Sequence, residues 1–432
     1  MRTTKRHLRQ ARAIKVRGDH EQSPAGRSLR VVAAASALAL MMSLSPELTQ
    51  APTSADEPGG AAAQVATRTS QPMGPVTGVA AHLEPGVPLA RAHERAASAP
   101  MTAGAILSQR FQAALDAARY DAEAFGVTFA AVRDGQVVWA GSSGVDRDGQ
   151  SPLKPHSPMV IGSVTKTFVA ATVLQLVEEG RIALGDSVRS HLPELRRVSR
   201  EITVRQLLDH TSGLADVFNE QTRQGLEEHP ERSWTSRELL ATLHAPWYQP
   251  GEGWAYANTN YYLLGMIIER VTGATLEAEL QRRFLDPLDL DATRMLGPDD
   301  PTSALEPAWA TIFWGSGAMS SSAADLARWG DALYDDDIAG QALLEPDAER
   351  EMLDVNRDDY GLGVKRIEVS KRTLGYGHTG LLNAYTTLLL HVPAHDVTIA
   401  MLVNRTQVDL LGMIKERPAI GGRSLLGLAV DP

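Results

Sequence analysis

The chain contains no cysteine. That excludes disulfides, thiol catalysis, Cys-based zinc sites and a lipidated N-terminal cysteine. An exported fold without disulfides has to be held by the size of its core, and 432 residues with 43% hydrophobic side chains supply one. Aromatic residues are few, 5% of the chain, and none precedes Phe111. From about Thr53 to Ala103 the sequence is rich in Ala, Pro, Gly, Thr and Ser instead. Without large apolar side chains such a segment cannot offset its ordering entropy, so residues 56–104 read as a disordered linker, with a propeptide as the alternative. Long apolar runs are also missing. The uncharged stretch Val31–Leu44 has 14 residues, too short to span a bilayer comfortably and suited to the hydrophobic region of a signal peptide. Residues 1–55 are therefore expected to be a leader, with Thr53–Ala55 offering small residues for cleavage before Asp56. The expected location is secreted, extracellular or cell-wall associated, with no stable membrane span after leader removal. An uncleaved N-terminal anchor is the alternative.

The net charge of −10 is unevenly spread. Residues 1–30 hold nine Lys/Arg against two Asp/Glu, a balance of +7, which leaves −17 on the remainder. A basic leader on an acidic body argues against nucleic acid as a partner, because phosphate binding needs a basic face on the folded part.

Several catalytic signatures are absent: G-x-S-x-G, H-E-x-x-H and G-x-x-x-x-G-K. The twelve histidines are scattered without ligand spacing. A Ser-His-Asp triad stays open, since the fold rather than the sequence brings its members together.

The folded domain is expected over residues 105–432. Ile106, Leu107, Phe111, Leu115 and Ala118 recur at helical spacing and open it with a helix. Two apolar runs flank Asp134-Gly135, a strong hairpin signal. Residues 360–365, 384–390 and 397–403 read as strands near the other end. Between them, roughly 162–300, the pattern is helical, with helices over Val164–Glu179, Val204–Asp209 and Tyr261–Thr272. Strands at both ends with helices between predict an α+β fold: one sheet built from both termini, flanked by helices, with an inserted all-α lobe.

A nucleophile candidate stands at Ile161–Lys166, I-G-S-V-T-K. Ser163 and Lys166 are three apart and share a face at the start of an apolar helix. A partly desolvated lysine can be unprotonated near neutral pH and accept the serine proton. The bland alternative makes Ser163 a helix N-cap and Lys166 a solvated first-turn residue. A second S-x-x-K, Ser151–Lys154, lies in a polar loop with no helix after it and reads as a decoy. Two further motifs follow in order: Y-A-N, Tyr256–Asn258, and H-T-G, His378–Gly380. A tyrosine near a lysine can act as a base, and an asparagine can orient that lysine. Glycine in H-T-G permits close approach to the backbone.

S-x-x-K, then Y-x-N, then [KH]-T-G resembles the serine β-lactamase and penicillin-recognising superfamily, in the branch of class C β-lactamases, secreted D-alanyl-D-alanine carboxypeptidases, esterases and D-aminopeptidases. The likeness spans most of residues 105–407 and includes L-L-D-H-T-S-G-L, N-T-N-Y-Y-L-L-G-M-I-I-E, G-S-G-A-M-S-S-S-A-A-D-L and Y-G-L-G. It implies a β-lactamase/DD-peptidase-like fold in which Ser163 attacks a carbonyl and forms an acyl-enzyme, with no metal or organic cofactor needed. Lys166 and Tyr256 would move the serine proton, with the formal base left open between them. Asn258 would position Lys166 and the substrate. The N–H groups of Ser163 and Leu381 would form the oxyanion hole, and His378, Thr379 and Gly380 would line the pocket, His378 as a polar substrate contact. His210 of D-H-T-S-G is expected to be a capping or core histidine. The resemblance implies a stem peptide of peptidoglycan, a β-lactam or a small ester as substrate, with carboxypeptidase or transpeptidase activity first. An esterase, D-aminopeptidase or β-lactamase, or a non-catalytic sensor, are the alternatives.

Two departures from the carboxypeptidase pattern stand out. Leu381 follows H-T-G where the pattern has Thr, and Lys365 stands where it has Arg. Both positions serve a free carboxylate in that pattern, and Lys cannot make the bidentate fork of Arg.

Overall fold

A computed structural model describes residues 102–334, 342–355, 358–416 and 422–431. The leader and most of the linker expected from the sequence lie outside the described residues.

The chain enters through helix α1 (Ala103–Asp121) and the hairpin β1 (Gly126–Arg133) and β2 (Gln136–Gly144). Asp134 and Gly135 make the turn, both at positive φ (49° and 71°), as a tight hairpin requires. Near the C-terminus come β6 (Lys365–Ser370), β7 (Thr373–Leu382), β8 (Tyr385–Val392) and β9 (Val397–Val403). These six strands form one antiparallel sheet in the order β2-β1-β9-β8-β7-β6. The β1–β9 pairing joins the two ends of the domain, as the strand pattern predicts.

Strands β8 and β9 are buried along their whole length, which is why they read as continuous apolar runs. Their side chains still alternate between faces. Leu389, Ala400 and Leu402 enter the larger core, with Ala130 and Val132 from β1. Leu388, Leu390, Ile399 and Met401 enter the smaller core under α1, α7 (Leu410–Lys415) and α8 (Leu425–Val430). Phe111 of α1 stacks on Trp139 of β2 at 5.0 Å between ring centres and fastens that layer.

The larger core holds the helices that carry the site. These are α2 (Thr165–Glu178), α3 (Val204–Leu208), α4 (Asn258–Thr272), α5 (Pro307–Gly317) and α6 (Ala323–Tyr334). Thr203 and Gln206 form a capping box on α3, and α4 ends at Gly273 in the left-handed conformation. A small second sheet has the order β3 (Met159–Val160), β5 (Met319–Ser321), β4 (Arg294–Met295). Among the described residues no helix is long and apolar enough to cross a membrane.

Two expectations need correction. Tyr360–Val364 is a turn rather than a strand. Gly361 N–H donates to the Val364 carbonyl and Gly363 sits at φ 82°, where a side chain would strike Ala170, so the extended run starts only at Lys365. Conversely, H-T-G, which precedes the run read as a strand from residue 384, itself lies inside a strand, β7.

Candidate active site

The Gly162–Val164 turn of 3₁₀ helix feeds directly into α2. Ser163 sits in the middle of it. Gly162 takes φ 51°, and Ile161 N–H donates to the Met319 carbonyl of β5, which fixes the approach. No side chain caps either helix, so Ser163 is not acting as an N-cap. One turn on, Lys166 is wholly buried (0% exposed).

The Lys166 Nζ has three polar neighbours: Ser163 Oγ at 3.1 Å, Asn258 Oδ1 at 2.9 Å and the Ser316 carbonyl at 2.6 Å. Ser316 lies in the last turn of α5, where carbonyls have no partner within the helix. Burial holds the Lys166 amine well below the ordinary lysine range. Asp216 pulls it back up, and Lys365 adds to the depression. With the Asn258 and Ser316 oxygens each taking an N–H, a neutral amine has its lone pair left for Ser163 Oγ.

Tyr256 stands beside this pair, its ring centre 4.9 Å from Lys166 Nζ and 5.8 Å from Lys365 Nζ. Its hydroxyl is buried and near enough to Ser163 to couple with it, without meeting hydrogen-bond geometry to any described residue. Burial pushes the phenol well above its ordinary value, against the small opposing effect of Ser163. A phenolate at neutral pH is therefore disfavoured.

His210 supports this wall from behind. It is fully buried, in the left-handed region at φ 61°. Its carbonyl accepts from Ala255 N–H, and its Nδ1 accepts from Ala257 N–H at 3.3 Å. Asn260 Nδ2 lies 2.8 Å from the same nitrogen, and Ser212 holds the other end of that amide. D-H-T-S-G is thus the seat of Y-A-N, and burial keeps the imidazole neutral. The decoy Ser151 and Lys154 are exposed in a loop.

On the other side, β7 closes against the Gly162–Val164 turn. Its ladder with β6 ends at Lys365↔Gly377. Beyond that point Gly380 and Leu381 abut Gly162 and Ser163: a methyl group on Gly162 would fall 2.9 Å from Leu381 N, and one on Gly380 would fall 3.4 Å from Ser163 N. The backbones bearing the two expected oxyanion donors are thus in direct contact. Lys365 Nζ donates to Thr379 Oγ1 at 3.0 Å, and burial pushes this amine down to about 8.

His378 departs from expectation. In β7 Thr379 is exposed and Leu381 half-buried, so the alternate residues His378 and Gly380 face inward. The imidazole is buried, with Nδ1–H donating to the Thr379 carbonyl at 2.6 Å and Nε2 accepting from Tyr360 Oη at 3.1 Å. Both ring nitrogens are engaged within the protein, so His378 braces β7 against Tyr360. Burial, with Lys365 and Lys166 nearby, holds it neutral.

Two contributors were missed from the sequence. One is the Ser316 carbonyl, a backbone atom. The other is Asp216, whose carboxylate accepts from Asn258 N–H at 3.2 Å, from Phe218 N–H at 3.0 Å and from Asn258 Nδ2 at 3.1 Å. Burial raises it to about 6. The acid in L-A-D-V-F, shortly after D-H-T-S-G, was the available signal.

Among solved structures, the D-stereospecific amidohydrolase from Streptomyces sp. is similar with a TM-score of 0.60 and 29% identity, over 71% of this chain and 97% of that one. The D-amino acid amidase from Ochrobactrum anthropi shares the fold with a TM-score of 0.59 and 24% identity, over 69% and 91%. Penicillin-binding protein 4* of Bacillus subtilis is 24% identical over 321 residues, 66% of this chain and 69% of that protein. Residues 107–417 match the Beta-lactamase family. That match covers well over half of the sequence, and the chain belongs to the Beta-lactamase family.

Proposed function

We propose that the protein is a serine hydrolase working through an acyl-enzyme on Ser163, first of all a D-alanyl-D-alanine carboxypeptidase or transpeptidase acting on peptidoglycan stem peptides outside the cytoplasm. The observation that carries this is the buried Lys166 amine held between Ser163 Oγ, Asn258 Oδ1 and the Ser316 carbonyl.

In the first step Ser163 Oγ attacks the carbonyl carbon while its proton passes to Lys166 Nζ. The N–H groups of Ser163 and Leu381 receive the developing oxyanion. The Tyr256 hydroxyl, kept protonated by burial, gives its proton to the departing nitrogen and is reprotonated from Lys166. Water then attacks the acyl-enzyme along the reverse proton path and frees Ser163. A buried, unpaired hydroxyl next to the nucleophile supports this role, since such a group costs stability unless a substrate atom satisfies it. Lys365 and Thr379 together offer a cation and a hydroxyl to the substrate's terminal carboxylate.

A second reading, a D-amino-acid amidase or esterase, is favoured by Leu381. It removes the hydroxyl that the carboxypeptidase pattern has at that position. The likeness to the Streptomyces amidohydrolase supports the same reading.

Labelling with a fluorescent penicillin tests the acyl-enzyme. Wild type should be labelled and Ser163→Ala should not. Equal labelling of the two refutes Ser163 as the nucleophile. Mass spectrometry of a D-Ala-D-Ala peptide and a D-amino-acid amide, each incubated with the protein, then separates the two readings by which one is cleaved faster.

A further inference from the structure

Behind the Ser163–Lys166 pair lies a carboxylate that the acylation steps above leave unused. Asp216 is half-buried in the loop between α3 and α4. One of its oxygens accepts from the backbone N–H groups of Asn258 and Phe218, and the other from Asn258 Nδ2.

The amide end of an asparagine is nearly symmetric in shape, so something must decide which atom faces Lys166. An ionised carboxylate only accepts, so it claims the NH₂ end of Asn258. The carbonyl end is left toward Lys166, 2.9 Å from Nζ. A flipped Asn258 would set oxygen against carboxylate and NH₂ against the lysine's own hydrogens. With Asn258 fixed, Lys166 spends one N–H on Oδ1 and one on the Ser316 carbonyl, and its lone pair points at Ser163 Oγ. The carboxylate also supplies charge. Taking the serine proton creates an ammonium in a site where burial disfavours it, and Asp216 is the attractive charge acting on Lys166. The other titratable groups around that amine are Lys365, Tyr256, Tyr261, His210 and His378, and none of them carries a negative charge at neutral pH.

We propose that Asp216 is a positioning residue of this hydrolase. It orients the Asn258 amide so that Lys166 presents its lone pair to Ser163, and its charge stabilises the ammonium formed during acylation. The inference rests on Ser163 as the nucleophile.

The test uses the full chain and p-nitrophenyl acetate, an ester that acylates an activated serine whatever the natural substrate. Release of p-nitrophenolate and the acetyl adduct in intact-mass spectra are followed across pH for wild type, Ser163→Ala, Asp216→Asn and Asp216→Glu. Asp216→Asn should acylate about 10- to 100-fold more slowly, the loss typical of a charged hydrogen bond, with KM little changed. Its acid limb should move to lower pH, because removing the negative charge lets the Lys166 pKa fall further. Asp216→Glu keeps the charge and should keep the acid limb at its wild-type position. A folded Asp216→Asn with wild-type rate overturns the proposal, and so does a slowed one whose acid limb has not moved. Should Asp216→Asn fail to fold, Asp216→Ser, smaller and equally neutral, is read by the same two criteria. If wild type is no more reactive than Ser163→Ala, the proposed function itself falls, and this inference with it.

Discussion

Gly380→Ala puts the contact between β7 and the nucleophile turn under direct strain. Gly380 does not lie at positive φ, so alanine is compatible with its backbone. The obstacle is space. A methyl group there falls 1.9 Å from the Ile161 carbonyl oxygen and 2.9 Å from its carbon. Both are backbone atoms of the strand-to-turn junction, tied through Ile161 N–H to β5, and they cannot swing aside like the end of a side chain. Restoring an ordinary contact of about 3.5 Å moves β7 and the turn apart by more than about 1 Å. Two consequences follow with different magnitudes. Overpacking of this kind costs about 1–3 kcal/mol, so the protein stays folded with a lower melting temperature. Catalysis suffers more, because the Leu381 N–H is the next amide along the strand. A displacement of about 1 Å costs about 100-fold in rate, and losing an oxyanion donor costs about 100- to 1,000-fold. Acylation by p-nitrophenyl acetate and a thermal melt, run side by side, read both. Gly297→Ala is the control, since nothing lies within 4 Å of a methyl group there. A Gly380→Ala protein that acylates at the wild-type rate refutes the close approach of β7 to Ser163 on which the oxyanion assignment depends.

Two other outcomes are expected. His210 and His378 are buried and held well below 6.5, so below that pH the unfolded chain takes up protons that the folded chain refuses. Their contribution is complete above pH 6.5 and is lost as pH falls toward their folded pKa values, at about 1.4 kcal/mol per pH unit for each. Asp216, raised to about 6, and Asp209, also raised by burial, work in the opposite sense as pH falls and offset this loss. Proton NMR of the His210 and His378 rings reads the histidines directly: both should stay neutral well below pH 6.5, and rings that take up a proton at pH 6.5 contradict two buried neutral histidines. Lys365→Ala separates the two functional readings. If Lys365 and Thr379 hold a terminal carboxylate, KM for a D-Ala-D-Ala peptide should rise about 10-fold or more while a neutral ester is unaffected. Equal effects on both substrates contradict that role.

What could be read from the sequence, and what could not, follows from how far each interaction reaches along the chain. Ser163 and Lys166 belong to one helical turn, so spacing alone brings them together, and the structure finds them 3.1 Å apart. The apolar runs of β8 and β9 have a period and a length, and they fold as the pattern predicts. The inward orientation of His378 was not legible for a local reason. T-L-G-Y-G-H-T-G-L-L carries three glycines, which weakens any strand signal, so β7 was not recognised as a strand. Once it is one, alternation sets the two directions: Thr379 outward beside Lys365, His378 inward toward Tyr360. Asp216 and the Ser316 carbonyl were invisible for a different reason. Asp216 lies 42 residues from the asparagine it orients, in a loop without periodicity, and a backbone carbonyl has no residue type to announce it. The groups that set the protonation of Lys166 therefore come from the tertiary fold, while the Ser163–Lys166 pair proposed to start the reaction is written in local spacing. A relative that keeps S-x-x-K and Y-x-N but lacks a carboxylate at the position of Asp216 should accordingly keep the nucleophile and lose its tuning, and its acid limb should lie at lower pH than that of this protein.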